Sequence, residues 1–502
     1  MEMENKKIII VGLGAGNPDL LTLGAIRAME QTKTLYLRTA KHPTVPHLPA
    51  HLKLESFDRI YDWSESFEEV YNTIAHELLN LAEIKAETVV YAVPGHPLVG
   101  EVSVTRLLTL AKERGVVCEV VAGVSFIEPV LTALALDPLQ EGLTILDATE
   151  MVTQPDVHLP REKGLELPVL RPLLVGQLYN QRLASAVKLR LMEYYPDEHP
   201  VVLLRGAGVP GEEAKLNIPL FELDRYPEWT DHLACVYVSP LPILEGKGSF
   251  ATLQYVVARL RAPGGCPWDR EQTHLSLRRY LLEETYEVLE AIEEHPDKLA
   301  EELGDLLLQV VLHAQLAADD GEFTIREVME ELTDKMLRRH PHVFGEVQVN
   351  GAGEVVRNWE EIKKAERTSR GDKRKSVLEG VPKHEPALLQ AQNLQRKAAG
   401  LGFEWRKYDE IMDKLMEEVS ELRNITNHDE LVEEFGDVLA VLTNAARWLK
   451  VDAEEALRKA NNKFRRRFGE WEKLVEERQL NPRSMDLNSL VALWDEAKQV
   501  AG

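Results

Sequence analysis

An acidic helical pattern that occurs twice constrains this chain more than any other feature. Residues 283–305 read EETYEVLEAIEEHPDKLAEELGD, two helical stretches joined at a His-Pro turn. Glu284 and Glu287 are three apart, as are Glu302 and Asp305, so each pair projects from one face of its own helix. Two such helices packed antiparallel set four carboxylates around one point. With no basic partner among them the carboxylates repel one another, an arrangement that calls for a hard divalent cation. The expected ion is Mg²⁺, with Mn²⁺ as a substitute.

A single acidic helix face is ordinarily just solvated. Here the pattern returns: residues 417–437 read EEVSELRNITNHDELVEEFGD, with Glu418, Glu421, Glu434 and Asp437 at the same spacings and Gly436 repeating Gly304. A basic pair at helical spacing follows each copy, Lys335 with Arg339 and Lys463 with Arg467. Lys or Arg beside carboxylate-held magnesium is the equipment for gripping a phosphate chain.

The 502 residues exceed what one core normally organises, and 44% hydrophobic with 28% charged residues fits a soluble, multidomain protein. A net charge of −24 disfavours nucleic-acid or anionic-membrane partners. Cys118, Cys235 and Cys266 are scattered, which suggests neither a disulfide framework nor a thiolate metal site and fits a reducing cytoplasm. The opening residues are too acidic for a signal peptide, and no apolar run reaches the ~20 residues of a membrane span.

From Lys6 to about Pro240, short β-branched runs alternate with helical patterns, the signature of an α/β domain with largely buried strands. Runs begin near Ile8, Thr34, Thr88, Cys118, Leu143, Pro172, Pro200 and Ala234. Three turns after strands are rich in glycine: GLGAGNP with Gly12, Gly14 and Gly16, PGHPLVG from Pro94 to Gly100, and AGVSFIEP from Ala122 to Pro129. Such glycines permit either a tight turn alone or the close approach of backbone to a ligand. From Phe250 the strand patterns stop, and amphipathic helices follow in two successive sets. Shifts between the sets fall from 134 residues at Glu284/Glu418 to 128 at Lys335/Lys463, so the repeat has lost short loop segments.

The three turns together resemble the tetrapyrrole methylases, S-adenosylmethionine-dependent enzymes of two α/β lobes that hold the methyl donor between them. That resemblance implies S-adenosylmethionine binding by Gly12, Gly14, Gly16, Pro94, Gly95 and His96. Many members have Gly-Asp-Pro in the second turn where this chain has Gly95-His96-Pro97. The lost carboxylate bears on the methyl acceptor, and His96 is open to a purely structural role.

The acidic motifs, with CPWD at 266–269, RRHPHVFGE at 338–346 and GFEW at 402–405, resemble the MazG nucleoside triphosphate pyrophosphohydrolases. These are all-α, magnesium-dependent enzymes that cut between the α and β phosphates. Carried over by position, the resemblance makes Glu418, Glu421, Glu434, Asp437 and Glu284, Glu287, Glu302, Asp305 metal ligands, and Glu417 and Glu283 catalytic. Lys414, Lys463, Arg467 and Trp494, with Lys335 and Arg339, would contact nucleotide. Two departures bear on charge: Tyr280 stands where the second unit has Lys414, and Glu430 stands where the family commonly has a lysine, its place in the first unit being taken by Lys298. Trp268 and Trp405 are expected in the core.

The whole chain is similar to the bacterial fusion of a tetrapyrrole-methylase-like domain to MazG, the YabN type. The expected organisation is a methylase-like domain at 1–240, a linker at 241–249, MazG-like units at 250–365 and 385–502, and a linker at 366–384 between them. The expected activity is hydrolysis of a nucleoside triphosphate to monophosphate and pyrophosphate by a cytoplasmic homodimer. The competing readings are methyl transfer as the main activity with the helices as a dimerisation module, and a front domain that only senses S-adenosylmethionine.

Overall fold

A computed structural model describes residues 7–62, 64, 66–84, 88–152, 167–369, 376–424 and 427–501. The chain's first six residues and part of the expected 366–384 linker lie outside them. The chain forms two compact units, 1–331 and 332–502. No helix among the described residues is long and apolar enough to cross a membrane.

Among the described residues the front of the first unit is built on ten strands: β1 (Lys7–Gly12), β2 (Thr34–Leu37), β3 (Lys53–Ser56), β4 (Val89–Val93), β5 (Val117–Val121), β6 (Thr144–Asp147), β7 (Leu173–Gly176), β8 (Pro200–Arg205), β9 (Ala214–Pro219) and β10 (Ala234–Val238). They form two sheets, ordered β3-β2-β4-β1-β5 and β6-β7-β10-β8-β9. The first sheet is wholly parallel, and β1 lies between β4 and β5 with Ile10 opposite Tyr91 and Val120. In the second only β6 and β7 are parallel.

The central strands are buried on both faces, which is why they read as unbroken apolar runs: β4 is buried along its whole length and β1 from its second residue. Apolar clusters line both faces of the first sheet, one around Ile8, Ile10, Tyr91 and Leu78, the other around Ile9, Val11, Met29 and Leu35. The sequence runs locate eight of the strands and miss β3 and β9. Neither carries an apolar run: β3 reads KLES and β9 AKLNIP, with charged and polar residues set among the apolar ones.

Beyond the sheets the chain is helical. Phe250–Arg261, Arg278–Glu293 and Leu299–Asp319 share a core of Val257, Leu277, Val311, Leu312 and Leu316, and Arg261 is clamped to Asp319 at 2.7 Å. The second unit is carried by Ala387–Ala399, Tyr408–Asn424, His428–Trp448, Ala453–Glu477 and Leu487–Ala501. Gln392 stitches the first of these to the loop before Ala453, donating to the Val451 carbonyl at 2.6 Å and accepting from the Ala453 N–H at 3.3 Å.

Candidate functional site

In the first unit, Arg278–Glu293 folds back onto Leu299–Asp319 through the short His295–Lys298 connection. Glu284 and Glu287, one turn apart on the first helix, meet Glu302 from the second, with carboxylate oxygens all within 4.8 Å of one another. Burial and the charges of Asp305 and Glu287 hold the Glu284 carboxyl above its usual range, and burial with Glu287 does the same to Glu302. Lys298 acts on Glu302 only as the weakest of these influences.

The second unit repeats the arrangement. Glu418 and Glu421 on Tyr408–Asn424 meet Glu434 on His428–Trp448, again within 4.8 Å. Burial first, then the charges of Glu421, Glu418 and Asp437, raise the Glu434 carboxyl. Among the described residues its Oε2 is buried without a hydrogen-bond partner. Three converging carboxylates, of which Glu434 is raised by burial and its neighbours' charge and keeps an unsatisfied buried oxygen, fit a hard divalent cation by donor chemistry. Asp305 and Asp437 stand close enough to act through their charge but outside the three-oxygen groups.

One expectation is corrected here: the second cluster has a basic partner. Lys414, one turn before Glu418 on the same helix, places its Nζ 2.8 Å from Glu418 and 2.9 Å from Glu417. The two carboxylates raise the lysine's proton affinity above its ordinary range. The i,i+4 geometry makes this contact locally available, with no other element needed. In the first unit Tyr280 stands at the equivalent position. It packs toward the Val257 and Leu277 core, with Trp268 edge-on at 5.7 Å and the Arg279 guanidinium 4.6 Å over its ring.

The expected phosphate contacts are differently placed. Lys463 and Arg467 lie one turn apart on Ala453–Glu477, and Trp494 packs against Phe464, beside Lys463, at a ring distance of 5.4 Å. Arg339 and Arg338 converge on Glu366 at 2.8 and 2.7 Å, and these bonds pull the Glu366 carboxyl down to about 2. Lys335 and Arg339 belong to the second compact unit, whereas Glu284, Glu287 and Glu302 belong to the first. Trp268 and Trp405 are 48% and 37% exposed, so neither is the core residue its size suggests. Trp268 spends its buried face on Tyr280.

In the front domain the three glycine turns converge at the carboxyl end of β1. Gly14 and Gly95 form an antiparallel bridge, the Gly95 N–H donating to the Gly14 carbonyl at 2.9 Å. A Cβ on Gly12 would stand 2.3 Å from the Gly95 carbonyl oxygen and 2.9 Å from the Gly123 Cα, so only glycine fits. Gly14, Gly16 and Gly95 have φ of +72°, +100° and +65°, the left-handed conformation that costs a glycine nothing. The His96 imidazole Nδ1 accepts the Leu98 N–H at 3.0 Å and so shapes the turn, and Pro94 directly precedes the left-handed Gly95.

Sequence reading passed over two features beside these turns. His42 is buried, accepts the Thr44 N–H at Nδ1 and hydrogen-bonds the Gly14 backbone; burial, with a contribution from His232, lowers it to about 4. Glu101, directly after the second turn, is buried and paired with Arg38 at 2.7 Å, and accepts from Ser103 at 2.7 Å. Their partners lie 63 residues away in one case and 28 in the other, and no local pattern announces them. Across the two lobes the Gln177 side-chain amide donates to the Gly100 carbonyl at 3.2 Å.

A family model for the MazG nucleotide pyrophosphohydrolase domain matches residues 272–344 and 406–470, spans that contain both carboxylate clusters. One for tetrapyrrole (corrin/porphyrin) methylases matches 7–224, which contains the three turns. The "Uncharacterized protein YabN" of Bacillus subtilis (strain 168) is 43% identical over 98% of this chain and 98% of its own length. The nucleoside triphosphate pyrophosphohydrolase/pyrophosphatase MazG of Thermotoga maritima is 44% identical over 50% of this chain and 95% of its own. A crystal structure of uroporphyrin-III-C-methyltransferase from Thermus thermophilus is similar over 48% of this chain and 98% of its own, at 26% identity and a TM-score of 0.37.

Proposed function

We propose that this chain, which belongs to the family joining a tetrapyrrole methylase domain to MazG nucleotide pyrophosphohydrolase domains, hydrolyses nucleoside triphosphates to monophosphate and pyrophosphate with magnesium. The observation that carries this reading is the recurrence of one three-carboxylate group at matching positions of two helix pairs. Glu284, Glu287 and Glu302 with Asp305, and Glu418, Glu421 and Glu434 with Asp437, would hold the ion. When bound, Mg²⁺ supplies a Lewis acid for phosphate oxygens and lowers the pKa of a coordinated water.

The chain's own residues do the rest. Glu417 and Glu283 adjoin the ligands on the same helices and are the bases that take the proton of the attacking water. Lys463 and Arg467 neutralise the phosphate chain, with Lys414, and pyrophosphate leaves as the phosphorus–oxygen bond between the α and β phosphates breaks. Trp494 offers an aromatic face beside Lys463 for the base. The domain limits proposed for these roles are 1–240, 250–365 and 385–502. The exposed Leu431, Phe435, Leu439 and Leu442 on His428–Trp448 support a homodimer, to be checked by light scattering.

The deciding experiment incubates the full chain with Mg²⁺ and a panel of NTPs and dNTPs and separates pyrophosphate from orthophosphate. Pyrophosphate release supports the reading; orthophosphate alone, or neither, overturns it. For the front domain, the convergence of Gly12, Gly95 and Gly123 supports S-adenosylmethionine binding at the carboxyl ends of β1 and β4, where ligands of open α/β sheets sit. Calorimetry with S-adenosylmethionine tests that part, and heat absent at saturating ligand rejects it.

A further inference from the structure

We infer that Lys414 is a resident counter-ion of the second carboxylate cluster, displaced by an entering divalent cation and thereby handed to the substrate's phosphates. Among the described residues the first cluster has no such device. This inference rests on the metal-site reading above and adds a coupling between cation and nucleotide that operates in one unit only.

The argument begins with Glu418. Its side chain is 8% exposed and it shares its surroundings with Glu421 and Glu434. A carboxylate so enclosed needs a counter-charge, and Lys414 supplies it at 2.8 Å while also holding Glu417 at 2.9 Å. A divalent cation binding the same Glu418 oxygens would leave the ammonium only a few ångströms from a second positive centre, so the two compete for one place. The lysine side chain is 34% exposed and rides on a flexible four-carbon stem, so it can leave without any backbone movement. Once released it is an unengaged ammonium at the rim of a cation site, where a triphosphate brings several negative charges.

The first unit is built otherwise. Tyr280 at the matching position carries no charge, and its ring is engaged by Trp268 and Arg279. Among the described residues no ion pair within 4 Å joins a lysine or arginine to Glu284, Glu287 or Glu302, and Lys298 acts on Glu302 from longer range. A cation entering there displaces nothing, so its affinity should depend less on whether nucleotide is present.

The test uses the full chain carrying Glu284→Gln and Glu287→Gln, which leaves the second cluster as the titratable one. Mn²⁺ binding is followed by the loss of the free-ion electron paramagnetic resonance signal, with and without a triphosphate analogue that has a methylene bridge between its α and β phosphates. Adding Lys414→Met should tighten Mn²⁺ binding without nucleotide by about threefold to tenfold, the scale of a partly exposed ion pair. With the analogue present the gain should vanish or reverse. Lys414→Arg, which retains the charge, should bind as the parent does, and Lys414→Gln replaces the methionine variant if that one melts early. Equal or weaker Mn²⁺ binding in the neutral variants, without nucleotide, overturns the counter-ion role while leaving the metal site standing. Failure of parent and variants alike to bind Mn²⁺ overturns the metal-site reading itself, and the inference with it.

Discussion

Gly12 and Gly123 stand so close that a Cβ placed on either one would lie 2.9 Å from the other's Cα. The Gly95 carbonyl oxygen fills the remaining space, 2.3 Å from a Cβ on Gly12 and 2.6 Å from one on Gly123. Three segments separated by 83 and 28 residues thus share one crossing point that leaves no room for a Cβ on Gly12 or Gly123.

This separates two reasons for a glycine. Gly12→Ala forces backbone against backbone and should cost about 3 kcal/mol or more. Gly95→Ala meets nothing nearer than the Ser125 Cα at 3.9 Å and violates only a φ of +65°, so about 1–2 kcal/mol is expected. Chemical denaturation of both variants checks the order; equal losses would mean that the crossing is looser than these distances require.

Metal removal is the second prediction. Among the described residues Glu284, Glu287 and Glu302 have no ion-paired partner, and the Glu434 Oε2 has no hydrogen-bond partner. Pyrophosphate release should therefore fall to background in EDTA and return with Mg²⁺ or Mn²⁺. Undiminished turnover in chelator would leave the carboxylates without their proposed role.

What a sequence shows of such a site depends on the range of the interaction. Glu284 with Glu287, and Lys414 with Glu418, are pairs within one helix, and helical spacing alone brings them together. The resemblance assigns Lys414 to nucleotide, and its ion pairs with Glu418 and Glu417 add a resting role; spacing alone does not choose between the two. The Gly12, Gly95 and Gly123 crossing, Arg38 with Glu101, and Arg339 with Glu366 are products of tertiary packing, without local signature. Burial governs the strands in the same way. Leu35 on β2 is enclosed by two neighbours and announces itself, whereas Leu54 on β3, 40% exposed at the sheet edge, sits among Lys53, Glu55 and Ser56 and does not.

His42 makes the third prediction, one of pH dependence. Its folded-state value of about 4 lies below the ordinary 6.5, so between those limits the unfolded chain binds the extra proton. The stabilisation is full above about pH 6.5 and is lost as pH falls through that value toward 4, by up to about 3 kcal/mol. His199 and His313, also lowered by burial, act in the same direction. His42→Gln should therefore flatten, without abolishing, the loss of stability between pH 7.5 and 5. A slope identical to the parent's in urea unfolding would show that His42 protonates freely in the fold.

The last prediction asks which unit works. Lys463, Arg467, Trp494 and Lys414 all lie in the second compact unit with Glu418, Glu421 and Glu434, whereas Tyr280 takes the lysine's place beside Glu284. A triphosphate carries about four negative charges toward a cluster of carboxylates on a chain of net charge −24, so each nearby cation lowers the barrier to approach. Glu434→Gln keeps the shape of one carboxylate and removes its charge, and the expected loss in kcat for pyrophosphate release is about 10² or more, the scale of several kcal/mol of transition-state stabilisation. Glu302→Gln, the matched change in the first unit, should cost little. Lys298 is the residue able to reverse this, because it stands on the Glu302 side of the first cluster and supplies charge from a direction that Tyr280 does not. A large loss in Glu302→Gln with near-parent turnover in Glu434→Gln would move catalysis to the first unit, and comparable partial losses in the two variants would assign it to both.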